Sequence, residues 1–328
     1  MPGIPVGAGA LLTAGLRADF IKTYQSRYKA SAERLGNCMQ MAVPSDKRTE
    51  FFAYPESAPY PEIWERGDTI SSEAFDSIGY NTTNKNWGKR IEWHEDDEDD
   101  DQIGAIKTQV RQLGENWGTL NERVFFQMLL GSTNAKLLPS IPNAPDGAAL
   151  YSATHGDGTN RFGVSGGNII SGSGVGSSAA VRTDVFNALE LFARFQDTKG
   201  EPLMSPEIIE AGMTLVYNIQ NYQLLAEALI QSRTLDGGAA LTNIVLDSGL
   251  KITLWGTQRV TDNDMYIFVN EASVKPLFQL ERKPLQERFA DMTNSDWARD
   301  TGYRYLQYKA RRGYGLNLPH STVKINNA

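Results

Sequence analysis

Between residues 103 and 128, apolar side chains fall at Ile103, Ile106, Val110, Leu113, Trp117, Leu120, Val124 and Met128, in alternating steps of three and four. A helix period of 3.6 residues brings such a series onto one face, which no strand can do. The spacing predicts a helix from about Asp100 to Leu130. At 1.5 Å per residue it would run roughly 45 Å, well above the usual globular helix. Gly104, Gly114 and Gly118 interrupt the stripe. Each costs about 1 kcal/mol in a helix interior, so they imply close backbone approach or a slight bend. Three glycines in a short run also argue against a coiled coil.

Everything before that helix has a different texture. Leu12, Leu16, Phe20, Tyr24 and Tyr28 recur every four residues, with Thr13 as a cap, which predicts an amphipathic helix ending before Gly36. Packing on its own domain is the plainer account of it than membrane binding. Residues 49–93 carry Pro55, Pro59 and Pro61, many aromatics and turn clusters at 65–68 and 81–86. Strand-like pieces flank them at Phe51–Tyr54 and Arg90–Trp93, and no clean core-forming period runs between. An extended hairpin projecting from the body is the expected form. Seven consecutive acids, Glu95 to Asp101, then precede the long helix. Carboxylates at a helix start are stabilised by unsatisfied N–H groups. A divalent-cation site is the sharper reading, but the EF-hand spacing is missing.

The second half alternates strands with helices, which fits a layered sheet covered by helices. Residues 163–180 are Gly- and Ser-rich and are expected as an exposed loop. A helix is expected at Thr183–Asp197, burying Val185, Phe186, Leu189, Phe192 and Ala193. Met213–Asn218 reads as a buried strand whose Asn218 caps a helix carrying Tyr222, Leu225, Leu229 and Ile230. Further strands are expected at Asn243–Leu246, Lys251–Trp255 and Met265–Asn270. Beyond Glu287 the tail is aromatic and basic, with Trp297, Tyr303, Tyr305, Tyr308, Arg299, Arg304, Lys309, Arg311 and Arg312.

Several function classes drop out. A net charge of −7 does not suit a dedicated nucleic-acid binder. The single Cys38 excludes an internal disulfide framework and a cysteine-based zinc cluster, and fits a reducing compartment. No P-loop, HExxH, GxSxG or GxGxxG element follows a strand. Three histidines, His94, His155 and His320, leave little for histidine chemistry. His155 in the turn His155-Gly156-Asp157-Gly158 reads as a satisfier of backbone carbonyls rather than a catalytic group. No cofactor or metal is expected, and no membrane span.

The order of parts carries a resemblance. MAVPSDKRTEFFAYPESAPYPEIWERGD and NTTNKNWGKRIEWHEDDEDDDQIG resemble segments of the Mu-like major head subunit family of tailed-phage major capsid proteins. The block of Trp64, Arg66, Lys85, Asp100, Asp101 and Gly104 is its most specific part, although Glu65-Arg66-Gly67-Asp68 shifts the family's glycine. LYSATHGDGTN, TLVYNIQNYQLLAEALIQS and DNDMYIFVNEASVKPLFQLERKP extend the likeness over about Phe20 to Gly313. The resemblance implies an α+β, HK97-like capsid fold. Its expected division is an arm at 1–48, an E-loop hairpin at 49–93, a peripheral domain with a spine helix at 94–140, an axial domain at 141–270, and a return to the peripheral domain at 271–328.

By the same resemblance the chain is not an enzyme. It would assemble in the host bacterial cytoplasm into hexamers and pentamers of an icosahedral head around double-stranded DNA. Phe51, Tyr60 and Trp64 are the expected anchors between subunits, and Glu62, Glu65, Arg66 and Asp68 the expected intersubunit ion pairs. Lys85 and Lys89 lie where some capsids of this fold form cross-links, but none is expected. Any scaffold would be a separate protein, alongside portal and decoration proteins. The rivals are an encapsulin-type shell with protein cargo, a minor head or tail component, and a metal-dependent hydrolase using Glu95–Asp101 with His94 or His155.

Overall fold

In the computed structural model the chain builds two cores bridged by a sheet. The described residues are 7–55, 61, 63–64, 69–70, 77–99, 103–155, 167–197, 199–230, 233–236, 239–242, 249–272, 274–292 and 294–327. Elements run α1 (Gly7–Leu35), β1 (Met39–Pro44), β2 (Thr49–Pro55), β3 (Ser77–Thr83), β4 (Lys85–His94), α2 (Glu95–Asp99), α3 (Ile103–Gly118) and α4 (Leu120–Leu129). The second half holds β5 (Ile169–Ser171), α5 (Ser178–Arg194), α6 (Pro206–Ala211), β6 (Met213–Asn218), α7 (Tyr222–Leu229), β7 (Arg233–Asp236), β8 (Ala239–Thr242), β9 (Ile252–Thr257) and β10 (Met265–Val269). It closes with β11 (Leu277–Ala290), α8 (Asp296–Thr301), β12 (Tyr303–Leu316) and β13 (Thr322–Asn326).

The apolar stripe is buried as expected: Ile106, Val110, Leu113, Trp117, Leu120, Val124 and Met128 all enter the first core. The rod is not one helix, however. Thr119 leaves helical geometry at φ −96° and ψ 4°, and splits it into α3 and α4. The reason lies beside the break. A Cβ at Gly118 would stand 2.6 Å from Arg27 Cβ and 3.1 Å from the Tyr24 carbonyl, and one at Gly114 2.9 Å from the Phe20 carbonyl. These two glycines let α1 cross α3 backbone to backbone. Gly104 has open space and serves no such contact.

Beneath α1 and α3 lies a four-stranded sheet in the order β1-β11-β12-β4, with β1 parallel to β11 and the other pairs antiparallel. Phe20 of α1 stacks on Tyr308 of β12 with ring centroids 3.5 Å apart. The two 14-residue strands β11 and β12 are the longest among the described residues, and charged residues occur along both. The strand containing Arg90–Trp93 was expected to flank the projecting hairpin. It is instead an edge of this sheet, paired along Tyr303–Arg312. Phe51–Tyr54 takes Ile78–Asn81 as its partner.

A second, five-stranded sheet runs β5-β13-β10-β6-β9. Period-two alternation sends Leu215, Tyr217, Ile267 and Val323 to a core with α5 and α7, while Val216, Tyr266 and Phe268 face the first core. There Phe125 of α4 packs 5.6 Å from Trp255 and 5.8 Å from Phe268. The spine helix thereby joins the two halves. Helix α5 begins at Ser178, five residues ahead of expectation, because the Ser177 hydroxyl accepts the Ala180 amide at 3.2 Å. Ala193, expected in its buried side, is exposed. The expected loop at 163–180 holds strand β5, since Ile169 and Ile170 pair with Lys324 and Ile325. Asn218 caps the next turn as expected, accepting the Gln220 amide at 3.0 Å. The strand expected at Asn243–Leu246 lies outside the described residues.

Candidate assembly surface

The hairpin β2–β3 pairs in register from Thr49–Thr83 to Pro55–Ser77. Its base is pinned twice. On one face, Phe52 and Tyr80 meet Phe278 at 5.0 and 6.3 Å, and the Tyr80 hydroxyl donates to Asn317 Oδ1 at 2.5 Å. Where β1 turns into β2, the Ser45 hydroxyl and the amides of Asp46 and Lys47 all donate to Glu50 Oε1 within 2.9 Å. Those bonds, led by the Lys47 amide, hold the Glu50 carboxyl below its ordinary range. Asn84 closes the corner by donating to Ser45 Oγ and the Lys47 carbonyl. The hairpin thus leaves the body from a fixed root.

Three large apolar side chains of this region are exposed. Phe51 is 66 % exposed and lies across Gly79, where any Cβ would sit 2.4 Å from its ring. Ile63 is 96 % exposed and Trp64 58 %. Large apolar side chains left exposed close together in sequence are the kind of surface that a partner covers. Fully burying one is worth about 1.5–3 kcal/mol, which offsets the entropy of ordering the chain around it. Of the seven predicted interface residues, Phe51 and Trp64 are described and both are exposed. Tyr60, Glu62, Glu65, Arg66 and Asp68 lie outside the described residues. Lys85 and Lys89 sit on β4, opposite Arg312 and Tyr308.

Sequence reasoning missed a polar cluster between the spine helix and the long strands. Arg312, counted above with a basic tail, is 2 % exposed. It reaches Glu281 at 3.2 Å and Asn121 Oδ1 at 3.5 Å. Asn121 accepts the Tyr314 hydroxyl at 2.7 Å and donates to Gln279 at 3.2 Å. Burial pushes the Tyr314 hydroxyl far up its scale, so it remains a donor. Only the alternation of β12, which turns Leu306, Tyr308, Ala310 and Arg312 inward together, could have exposed this placement.

Among the described residues the enzymatic alternatives find no site. Asp97 accepts the His94 amide at 3.3 Å and Asp96 lies 3.1 Å from His94 Nδ1, so these acids close their own turn. Among the described residues no group of three or more His, Cys, Asp or Glu is placed to hold a metal. His155 is fully buried, with Nδ1 2.5 Å from Asp146 Oδ2 and Nε2 3.2 Å from the Leu150 carbonyl. Both ring nitrogens are engaged in holding a turn. Among the described residues no helix is long and apolar enough to cross a membrane.

Solved structures similar to this architecture are capsids. The capsid protein of Myoviridae phage XM1 is similar over 91 % of this chain and 92 % of its own, with 9 % identity and a TM-score of 0.56. The capsid of the native GTA particle is similar over 91 % and 90 %, with 10 % identity and a TM-score of 0.56. The mature capsid of bacteriophage PhiM1 is similar over 89 % and 85 %, with 12 % identity and a TM-score of 0.50. At such identities the likeness establishes the fold alone, which is HK97-like. No curated protein sequence matches. Residues 80–325 match the phage capsid protein family, a span running from the hairpin's return strand to the last strand. The chain belongs to the phage capsid protein family, and its role is that of a virion shell subunit rather than an enzyme.

Proposed function

We propose that this chain is the major head subunit of a tailed phage of the Mu-like kind, closing as hexamers and pentamers into an icosahedral shell around double-stranded DNA. The observation that carries the reading is the rooted hairpin with bare apolar side chains, joined to a body of the capsid fold. A monomer gains nothing from leaving Phe51, Ile63 and Trp64 exposed. Many identical copies do, because each hairpin reaches a neighbour. The anchors are Phe51, Tyr60 and Trp64, with Glu62, Glu65, Arg66 and Asp68 as charged partners. The division into arm, hairpin, peripheral and axial parts follows, with separate scaffold, portal or decoration proteins as further partners. A net charge of −7 keeps the subunit from holding DNA along its length.

Expression of the full chain, alone and with its neighbouring gene products, followed by negative-stain microscopy tests this. Closed particles are expected, and DNA rather than a protein cargo inside particles purified from a phage lysate. A chain that stays monomeric at every concentration overturns the proposal. Arg66→Ala is expected to lower shell yield or shell stability, and normal assembly would remove the ion-pair role of the tip.

A further inference from the structure

β4 is an edge of the four-stranded sheet, paired with β12 on one side and with no strand on the other among the described residues. An edge strand keeps a row of backbone N–H and C=O groups free to pair with another extended chain. Beside β4, between it and the α3–α4 rod, lies a groove of about 290 Å³. Its lining is largely apolar: Leu113, Trp117 and Leu120 from the helices, Trp87 from the strand and Leu137 from the loop after α4. Trp87 also walls a second cavity of about 260 Å³, lined further by Lys85, Thr83 and Ser140. The two together follow β4 from Lys85 to Lys89, room for about five residues of an extended chain.

The rim is cationic. Lys85, Lys89 and Lys136 are exposed and Arg123 is half-buried, and none has an acidic partner among the described residues. No acid lines either cavity among the described residues. The acids of the rod closest to Arg123 in sequence, Glu115 and Glu122, are held by Arg27 at 3.3 Å and Arg259 at 3.1 Å. Arg312, which lines the second cavity, keeps its buried Nε without an acceptor. Lysines on an edge by themselves deter pairing with a like edge. An apolar lining with two tryptophans does the opposite, and the two features together select an acidic extended chain over a basic one.

The walls are preformed. Arg123 donates to Asn116 Oδ1 at 2.7 Å, which fixes its guanidinium at the groove. Asn134 Oδ1 accepts the Lys136 and Leu137 amides at 2.9 and 3.2 Å, and the Asn134 amide donates to the Leu138 carbonyl at 2.8 Å. A closed turn thus presents Lys136 and Leu137, and little has to be ordered when a chain enters. We infer that the β4 edge is a docking groove for an acidic, extended segment of a separate partner protein. The segment adds as a strand beside β4, lays alternate apolar side chains on Trp87 and Trp117, and sets carboxylates against Lys89, Arg123 and Lys136. The chain's own acidic run among the described residues, Glu95–Asp99, is helical and cannot add as a strand.

The test is titration of the dispersed full-length subunit with a short dye-labelled peptide alternating glutamate with valine and leucine, read by fluorescence anisotropy. Saturable binding is expected, with slower amide hydrogen exchange in β4. Lys89→Glu with Lys136→Glu, its fold checked by circular dichroism, is expected to weaken binding about tenfold or more, and added salt to weaken binding to the wild type. A peptide with lysine for glutamate meets like charge, and one with proline at alternate positions lacks ladder donors, so neither is expected to bind. Absence of saturable binding overturns the groove. Equal binding of the lysine peptide overturns the charge selection, and equal binding of the proline peptide overturns strand addition. Loss of particles from the Lys89/Lys136 variant, with no peptide binding by the wild type, assigns the groove to a second copy. Duplex-DNA binding that the variant abolishes, again with no peptide binding, assigns it to nucleic acid, and both outcomes overturn the partner. A failed titration of dispersed subunits leaves the shell proposal standing.

Discussion

Replacing Gly118 by alanine sets helix propensity against the crossing of α1. In an open helix the change would gain about 1 kcal/mol, because glycine loses more backbone freedom on folding. At Gly118 the added methyl meets Arg27 Cβ at 2.6 Å and the Tyr24 carbonyl and Tyr28 amide at 3.1 Å. Carbon atoms in contact prefer about 3.5–4.0 Å, so α1 has to move outward by about 1 Å. That shift loosens the stack of Phe20 on Tyr308, whose centroids lie 3.5 Å apart. Overpacking of this kind costs about 1–3 kcal/mol, so the net expectation is a loss of about 1–2 kcal/mol. Gly104→Ala, with nothing within 4 Å, is the control and should gain up to about 1 kcal/mol. Urea denaturation of dispersed subunits, followed by near-ultraviolet circular dichroism, reads both midpoints. Equal stabilisation by the two substitutions would refute the close crossing as the reason for glycine at 118.

Asn121→Ala strands the Tyr314 hydroxyl and Gln279 Oε1 in the interior, and should cost about 2–4 kcal/mol in the same denaturation assay. Ser177→Ala removes the acceptor for the Ala180 amide, and a loss of about 1 kcal/mol is expected from the unfolding midpoint. His320 is buried, and desolvation lowers it from 6.5 to about 4. A folded value below the unfolded one means that the unfolded chain binds the extra proton. Stability should therefore fall as pH drops below about 6.5 and level off near 4, by up to about 3 kcal/mol in total. Unfolding midpoints across that range, compared with His320→Gln, check the sign; a wild-type profile no steeper than the variant's would remove the assignment.

Local pattern carried a large part of this protein. The stripe from Ile106 to Met128, the recurrence from Leu16 to Tyr28, the buried run Met213–Asn218 and the Asn218 cap are periodicities or single-residue chemistries, and they are read without knowing what they touch. The aromatic, proline-broken hairpin was legible for the opposite reason: it lacks any period that a core could use. The exposure of Phe51 and Trp64 could be read from the sequence because large apolar residues in such a segment have no local place to hide.

Tertiary structure decided what depends on partners distant in sequence. β4 reads like the hairpin's return arm, and only its pairing with Tyr303–Arg312, more than two hundred residues away, makes it an edge of the body sheet. Arg312 and Lys309 are chemically alike and three residues apart, yet one is buried against Asn121 and the other stands in water, because strand alternation has no meaning until the sheet's two faces are known. Periodicity is a property of one segment; burial, pairing and complementary charge belong to the meeting of several.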